Sequence, residues 1–509
     1  MQVVLIVFAV YAAAYLLYGK KLVEQRVVKA DPSRPTPAVA RFDGVDYVPA
    51  NKFVLYGHHF SSIAGAGPIV GPAIAMVWGW QLPLLWILFG NVFIGAVHDY
   101  LALMASVRYG GASIATVSET VMGRKARYIF LLYVLFALIL VLAAFLSVCA
   151  TLYTINPKAA TKAIVYMPLA LLFGFLVYRV GLKLAPATLL AVVLIVLGIP
   201  YAYKVPLFIG PVKGPEFWDT YHKWVIILSV YCIIAASLPV WYLLQPRDYL
   251  NAYLLWFFVL SVGVGGIIVG AMALRAPGYT EFAPKAIAGQ PSPFWPVIPL
   301  IIACGSLSGF HSLVSSGTSS KQLASELDAL LVGYGGMLTE GAVSSLGVIL
   351  PISLAWNAPE LYEIGVLKEG QTILNLSPVA RFTVGYGYVL GKAAEKFGAG
   401  FVATYEIMNL YAAIALATFI LTTLDTATRI GRFAWQEVFE WLRPRSPSAY
   451  RAITNRWVAS LLPVLFAAAM AYPTVTIDGK VQAAFRVIWP AFGGTNQLLA
   501  ALALLTAAL

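Results

Sequence analysis

Four of the five histidines, His58, His59, His98 and His311, lie inside apolar stretches that hold few other charges. Imidazole is the side chain best suited to carry a proton near neutral pH. It is also a ligand for zinc and for haem iron. No histidine spacing matches a metal motif, and no cysteine accompanies the histidines. We therefore expect no resident metal or cofactor, with a metal or haem site kept as the alternative to proton transfer.

Acidic side chains recur in the same kind of stretch, at Asp99, Glu340, Glu406 and Asp425. An ionisable group inside a membrane span is costly, and by default it indicates a function such as a proton relay. Asp99, which follows His98 in the sequence GAVHDY, is the first candidate for a coupling proton. Asp425 precedes Arg429 and Arg432, so a structural ion pair with these arginines competes there with proton transfer. Asp425 is also a candidate for a gate or hinge.

The sequence GHHFSSIAGAGPIVGP, which begins at residue 57, is of bilayer character but rich in helix breakers. In lipid every backbone N–H and C=O needs a partner, so a break is tolerated only where it is buried or lines a cavity. There the freed carbonyls can hold a cation, and the N-terminus of a half-helix can hold a carboxylate. The alternative is close helix packing through small residues. We predict two half-helices with an unwound middle near Gly65, Gly67 and Gly71.

A run of serines and threonines surrounds His311 in SGFHSLVSSGTSSKQL. Hydroxyl oxygens are hard ligands, suited to an alkali cation or to the polar groups of a substrate. The alternative is that each hydroxyl bonds back to its own helix. The adjacent Ser315 and Ser316, followed by Thr318, are less readily explained in that way.

A second break is predicted in SLPVWYLLQPRDYLN, residues 237–251, where Pro239 lies within a predicted span. Five spans separate the starts of the two broken helices, so they run in opposite directions, as in two inverted five-helix repeats. Arg247 and Asp248 are candidates for a gate or hinge at the cytoplasmic end. The candidate substrate-binding residues from all these stretches are His58, His59, Ser61, Ser62, Gly65, Gly67, Gly71, Pro239, Gln245 and His311.

The composition defines the elements that must position these residues. Hydrophobic residues make up 60% of the 509, charged residues only 11%, and the mean hydropathy is +0.81. A soluble globular chain carries about 25% charged residues, so this is a polytopic membrane protein in contact with the lipid bilayer. The net charge of +12 lies in loops and does not indicate nucleic acid. About thirteen spans are predicted, at about 2–18, 53–77, 82–107, 128–154, 163–180, 184–203, 224–243, 248–273, 295–319, 330–356, 404–424, 453–472 and 482–509.

The basic residues predict an orientation. Segment 19–52 holds seven lysines and arginines and is expected to be cytoplasmic, with a retained first helix whose N-terminus lies outside. We predict an extra helix and basic linker over 1–52, one five-helix repeat over 53–203, and an inverted repeat over 204–424. A cytoplasmic loop and C-terminal helices then occupy 425–509. An amphipathic helix is expected on the outer side over 378–397.

Two further motifs join those above, GYGGMLTEG at 333–341 and WPAFGGTNQLLAALAL at 489–504. Together the motifs resemble those of the carbon starvation protein A (CstA) family and occur in the same order, from residue 53 to the C-terminus. The resemblance implies an inner-membrane secondary symporter, proton-coupled, for peptides or pyruvate. That family is grouped with the amino acid–polyamine–organocation superfamily. The grouping implies an all-α, LeuT-like fold of two inverted five-helix repeats, with the first and sixth core helices discontinuous and extra helices at both ends.

The resemblance also implies a cation site between the unwound first helix and the eighth. Here it would pair carbonyls near Ala64 to Gly67 with hydroxyls of Ser315, Ser316 or Thr318. The chain departs from the family in two places. It ends at Leu509, where many members continue with further apolar segments, and His98 stands where the family has glutamine, which weakens a proton role for His98 but not for Asp99.

We therefore expect an alternating-access carrier, not an enzyme, because no nucleophile–base pair has a recognisable spacing. Its substrate would be a short peptide or a small carboxylate such as pyruvate, and its coupling ion a proton or sodium. The rival functions are an ion channel lined by the broken helices and a membrane metal or haem protein that uses His58, His59, His98 and His311. Four points stay open here: whether the substrate is a peptide or pyruvate, which ion is coupled, what the histidines do, and what the oligomeric state is.

Overall fold

The computed structural model describes residues 2–214, 216–269, 274–287, 290–353, 355–477 and 480–509. In this part of the chain the membrane elements are all helices, and the strands form two short antiparallel hairpins. The all-α, polytopic prediction is confirmed. The strands are β1 (Lys285–Ile287), β2 (Gln290–Pro291), β3 (Thr474–Ile477) and β4 (Lys480–Ala483).

The α-helices alternate with short 3₁₀ turns and three π-helical segments, at Ala14–Val28, Asn91–Gly95 and Leu330–Gly335. The first half contains α1 (Gln2–Ala13), α2 (Pro37–Ala40), α3 (Lys52–Ala64), α4 (Gly67–Ala75), α5 (Gln81–Gly90), α6 (Ala96–Arg108), α7 (Ile114–Met122), α8 (Arg124–Ile155), α9 (Pro157–Tyr178), α10 (Leu184–Lys204), α11 (Phe217–Ser237) and α12 (Leu244–Val269). The second half contains α13 (Phe294–Ile301), α14 (Gly309–Gly317), α15 (Gly336–Ile352), α16 (Pro359–Glu363), α17 (Pro378–Glu395), α18 (Phe401–Val438), α19 (Pro447–Ile453), α20 (Arg456–Ala471) and α21 (Phe485–Ala508).

Within the described residues, 10 helices are long and apolar enough to cross a membrane, or 11 if the bent pair α19 and α20 counts as one span. Three of the thirteen predicted spans account for the difference. The described apolar part of α10 ends at Gly198, the span predicted at 295–319 is broken into two short helices, and the one at 453–472 bends by 57° from α19 to α20. The predicted end of another span, at 270–273, lies outside the described residues.

The first interrupted helix consists of α3 and α4, and its prediction is confirmed. Asn51 caps the start of α3 by accepting a hydrogen bond from the N–H of Phe53. The helix ends at Gly65, whose φ of +47° suits glycine, and α4 resumes at Gly67 with Pro68 in its first turn. The break is therefore confined to Gly65 and Ala66.

The second interrupted helix consists of α13 and α14, with an irregular segment at residues 302–308 between them. The prediction of a break at Pro239 within a span is wrong. Pro239 lies in the connection between α11 and α12, each of which is long enough to span by itself. The apolar residues continue across that connection, so hydropathy alone did not separate the two helices. If α3/α4 is counted as the first spanning helix and the α9–α10 hairpin is left out, α13/α14 is the sixth. The two interrupted helices therefore run in opposite directions.

The two interruptions face each other. A Cβ on Gly67 would lie 2.2 Å from the sulfur of Cys304, and a Cβ on Gly71 would lie 2.4 Å from the carbonyl oxygen of Ile301. The long helices α8 and α18 pack against each other and against α20, and α18 also packs against α3. The amphipathic helix predicted at 378–397 is present as α17, while its side of the membrane, the orientation of the termini and the repeat boundaries stay predictions.

Candidate functional site

His58 and Asp248 form one buried pair at the first interrupted helix. The Nδ1 atom of His58 on α3 lies 2.7 Å from Oδ2 of Asp248 on α12. The same carboxylate oxygen accepts a hydrogen bond from Ser62 Oγ at 3.2 Å, and Ser61 Oγ donates to the Asp248 backbone carbonyl at 2.8 Å. All four residues are fully buried. Three side chains of α3 therefore hold one acid of α12.

Arg247 links this pair to α18. Its guanidinium donates to Oδ1 of Asp248 at 2.7 Å and to Oδ1 of Asp425 at 2.9 Å, and Nη1 also contacts the second Asp425 oxygen. Tyr231 Oη on α11 donates to that second oxygen at 2.7 Å. All the charges in this group are buried, so each depends on its partners for the solvation that water would supply.

The predicted ion pair of Asp425 with Arg429 or Arg432 is not formed. Arg429 instead donates to Asp46 at 3.0 Å, and Arg432 donates to the same carboxylate at 3.3 Å. Asp46 lies in the segment before α3, so the tertiary fold brings it to these arginines and brings Arg247 to Asp425. The predicted gate residues Arg247, Asp248 and Asp425 thus meet in one network, although their role as a gate stays a prediction.

Asp99 is the centre of a second buried cluster. His59 Nε2 on α3 lies 2.9 Å from Asp99 Oδ2 on α6, and the other ring nitrogen of His59 lies 2.8 Å from Ser319 Oγ. Ser315 Oγ on α14 donates to Asp99 Oδ1. The sequence candidates His59, Asp99 and Ser315 are therefore brought together from three elements, two of which belong to the interrupted helices.

His311 extends this cluster towards α15. Its Nδ1 lies 3.9 Å from Asp99 Oδ2, and its Nε2 lies 3.1 Å from Glu340 Oε2, without the alignment of a hydrogen bond in either case. Both side chains are fully buried. His98, the neighbour of Asp99, is also buried, and neither of its ring nitrogens has a hydrogen-bond partner among the described residues.

The carbonyls that the break frees at the end of α3 have partners on α18. Thr422 Oγ1 donates to the carbonyl of Ser61 at 2.9 Å, and Thr423 Oγ1 donates to the carbonyl of Ser62 at 3.1 Å. A Cβ on Gly65 would lie 2.8 Å from both Thr423 Oγ1 and the ring of Phe145. In this conformation the break is closely packed, as the small-residue alternative describes.

The hydroxyls predicted to hold a cation have other partners. Ser315 binds Asp99, while Ser316 Oγ donates to the carbonyl of Ser312 at 2.7 Å and accepts from the N–H of Ile114 at 3.1 Å. Thr318 Oγ1 donates back to the carbonyl of Val314 at 3.1 Å. A cation site that joins these hydroxyls to the carbonyls at Ala64 to Gly67 stays a prediction.

Gln245 belongs to a chain of amides that reaches His58. Its Nε2 donates to Oε1 of Gln322, and its own Oε1 accepts from Tyr178 Oη at 3.0 Å. Gln322 Nε2 in turn lies 3.5 Å from His58 Nε2. Pro239 is not part of this arrangement, because it lies in the α11–α12 connection.

A cavity of about 570 Å³ lies beside α3, between the N-terminal helix and helices α12 and α15. Its walls are apolar and aromatic, and include Phe8, Tyr11, Tyr56, Tyr253 and Trp256. None of the described residues that line it is Asp, Glu, Lys, Arg or His. The buried charges of the two clusters therefore do not line this cavity.

Sequence reasoning missed several members of the two clusters. Ser319 belongs to the hydroxyl run but was not singled out within it. Gln322 follows the run without a signal of its own, and Tyr231 stands in an ordinary apolar helix. Glu340 was recognisable as an acid within a span, but nothing placed it beside His311. Among the described residues no group of three or more His, Cys, Asp or Glu side chains is arranged to hold a metal ion.

The fold and the site define a polytopic helical membrane protein in which two facing interrupted helices hold buried acid–histidine pairs. The family model described as "Carbon starvation protein CstA" matches residues 1–362 and 353–509. The chain belongs to this family, which confirms the resemblance predicted from its motifs.

Curated relatives match nearly the whole chain. "Peptide transporter CstA" of Bacillus subtilis (strain 168) is 34% identical, with 100% of this chain and 85% of that protein covered. "Pyruvate/proton symporter BtsT" of Escherichia coli (strain K12) is 31% identical, with 97% and 75% covered. A solved structure, MhsT in complex with L-phenylalanine, aligns with 90% of this chain and 89% of its own at 12% identity and a TM-score of 0.48.

Proposed function

We propose that this protein is a secondary active transporter that couples the movement of a short peptide or a small carboxylate such as pyruvate to protons. The observation that carries the proposal is the position of Asp99, buried between His59 and His311 where α3, α6 and α14 meet. The relatives named as a peptide transporter and as a pyruvate/proton symporter support the same function.

Asp99 is the proposed carrier of the coupling proton. In a site without water a carboxylate attracts a neighbouring imidazolium or hydroxyl much more strongly than a neutral carboxyl does. Protonation of Asp99 therefore weakens its hold on His59 and Ser315, which belong to the two interrupted helices. A proton that binds one conformation more tightly than the other shifts the population between them, as alternating access requires.

The carboxylate shared by pyruvate and peptides is proposed to bind at the N-terminus of α4. In the conformation described here this end is covered by the segment at residues 302–308. Separation of α4 from that segment would uncover backbone N–H groups whose dipoles attract an anion. His58, His59 and Gln245 remain the side-chain candidates for the rest of the substrate.

The test is uptake by vesicles that contain the purified protein, with labelled pyruvate or a labelled dipeptide under an imposed proton or sodium gradient. We expect saturable uptake of one substrate that collapses without the proton gradient. Asp99→Asn should remove the pH dependence of uptake, whereas Glu369→Gln, at an exposed acid, should not. Conductance without saturable uptake would favour the channel, and wild-type pH dependence in Asp99→Asn would exclude Asp99 from proton coupling.

A further inference from the structure

His58 and His59 are neighbours in the sequence, but they contact different acids. His59 faces Asp99 on α6, whereas His58 faces Asp248 on α12. Successive residues on an α-helix are rotated by about 100°, so the two rings leave α3 in different directions. The proposed coupling proton occupies the Asp99 cluster and leaves the His58–Asp248 pair without a part in proton coupling.

Both carboxylate oxygens of Asp248 face hydrogen-bond donors. Oδ1 accepts from Nη2 and Nε of Arg247 at 2.7 and 3.2 Å, while Oδ2 accepts from Ser62 and faces His58. Hydrogen bonds to the charged form of a carboxylate favour that form. A proton that enters this pair is therefore held by the imidazole of His58, with Asp248 as its counter-ion.

The amide chain identifies the ring nitrogen that accepts the proton. Nδ1 of His58 donates to Asp248, and Nε2 faces the NH₂ group of Gln322 at 3.5 Å. A protonated Nε2 would set two donors against each other. Relief requires the Gln322 amide to turn over, which puts its NH₂ group against that of Gln245 and breaks their hydrogen bond. If the Gln245 amide then also turned over, its NH₂ group would face the hydroxyl of Tyr178 in place of the oxygen that now accepts from it.

Other titratable and charged groups surround the Arg247 network to which this pair belongs. Tyr166 on α9 interacts with Arg247 and Asp248, while Tyr153 on α8, Tyr231 and Cys232 on α11 and Asp425 on α18 interact with Arg247, and Arg429 on α18 interacts with Asp425. Among the charges in direct contact, Arg247 stands against Asp248 and Asp425, while Arg429 is paired with Asp46. One proton on His58 balances the two acids.

We propose that His58 is a second proton-binding site, with Asp248 as its counter-ion and Gln322 as the group that senses the bound proton. Its role in transport, a second proton in each cycle, rests on the proposed function, but the binding of the proton does not. The sensing chain joins α3, the turn that follows the second interrupted helix, α12 and α9. The backbone around Gln322 also binds the segment before α3, through the N–H of Ala50 and the carbonyl of Gln322 at 2.9 Å.

The experiment is a pH titration of the purified full-length protein with histidine labelled at ¹³Cε1, followed by NMR. The five histidines give five signals, each assigned from its own His→Gln variant. We expect the ring of His58 to exchange between its neutral and its protonated form during the titration. Asp248→Asn should lower the proton affinity of His58 at least tenfold and leave that of His59 unchanged. Asp99→Asn should lower the proton affinity of His59 and leave that of His58 unchanged. Gln322→Glu should raise the proton affinity of His58 at least tenfold.

A His58 that keeps one charge state throughout the titration of the wild-type protein overturns the second site. If His58→Gln does not fold, the His58 signal is the one that remains after the other four are assigned. Equal shifts of His58 and His59 in Asp248→Asn would also overturn it, because the two histidines would then belong to one proton site. Absence of proton-driven uptake together with the expected NMR pattern contradicts only the proposed function. Normal uptake with a silent His58 contradicts only the second site.

Discussion

Gly65 is the residue on which the first break depends. Its φ of +47° and ψ of −144° lie in a region that is essentially reserved for glycine. A Cβ there would also lie 2.8 Å from the ring of Phe145 and from Thr423 Oγ1, the hydroxyl that binds the freed carbonyl of Ser62. Gly65→Ala should therefore introduce backbone strain and a steric clash together.

The two costs can be separated with a matched glycine. Backbone strain of this kind costs about 1–3 kcal/mol, and an extra methyl group in a packed core costs about 1–3 kcal/mol more. Gly123, which precedes α8, has a φ of +87° and a ψ of 170°, but a Cβ there meets no atom within 4 Å. Gly123→Ala should therefore cost only the strain, about 1–3 kcal/mol, while Gly65→Ala should cost about 2–6 kcal/mol.

Thermal unfolding of both variants in the same detergent, alongside vesicle uptake per folded molecule, checks this expectation. Gly65→Ala should melt at a lower temperature than Gly123→Ala and transport more slowly, because Thr423 and Phe145 must move away from the break. Equal melting temperatures and unchanged uptake for the two variants would refute the packing around Gly65 that the fold describes.

Two further predictions concern charged pairs. Asp425→Ala should lower the free energy of unfolding by about 3–5 kcal/mol, since it removes one partner of a buried ion pair. Arg247→Met should cost at least as much in thermal melts, because it leaves both Asp248 and Asp425 without their cation, and a smaller loss would contradict the pairing. Burial raises the pKa of Glu360, but hydrogen bonds from Lys392, from its own backbone N–H and from Tyr388 outweigh burial and lower the pKa. The resulting stabilisation is present above the ordinary carboxyl pKa of about 4.5 and is lost as the pH falls through the lower pKa of the folded state. Glu360→Gln should thus lower the melting temperature at pH 7, and the difference from the wild-type protein should shrink as the pH falls below about 4.5.

The placement of the breaks shows how far sequence could predict the fold. The glycines and prolines around Gly65 predicted an interruption because no straight helix accommodates them without loss of backbone hydrogen bonds. Pro239 carried a similar signal but lies between two complete spans. The interruption at residues 302–308 has a Gly–Ser sequence that is equally compatible with a helix. The prediction therefore singled out the hydroxyl run that follows it and not the break. Local sequence could not decide whether the second break lies at Pro239 or at residues 302–308, because its position depends on which helix packs against Gly67 and Gly71.

The sequence by itself determined that this is a polytopic helical protein of the CstA family, because span length, low charge and the order of its motifs are local properties. It also singled out Asp99, His58, His59 and His311, since ionisable residues are rare in lipid-facing helices. Only the tertiary structure decided which acid each histidine meets and which arginine Asp425 binds. Those partners lie on helices far apart in the chain, and their pairing depends on how the helices pack, which no local pattern encodes.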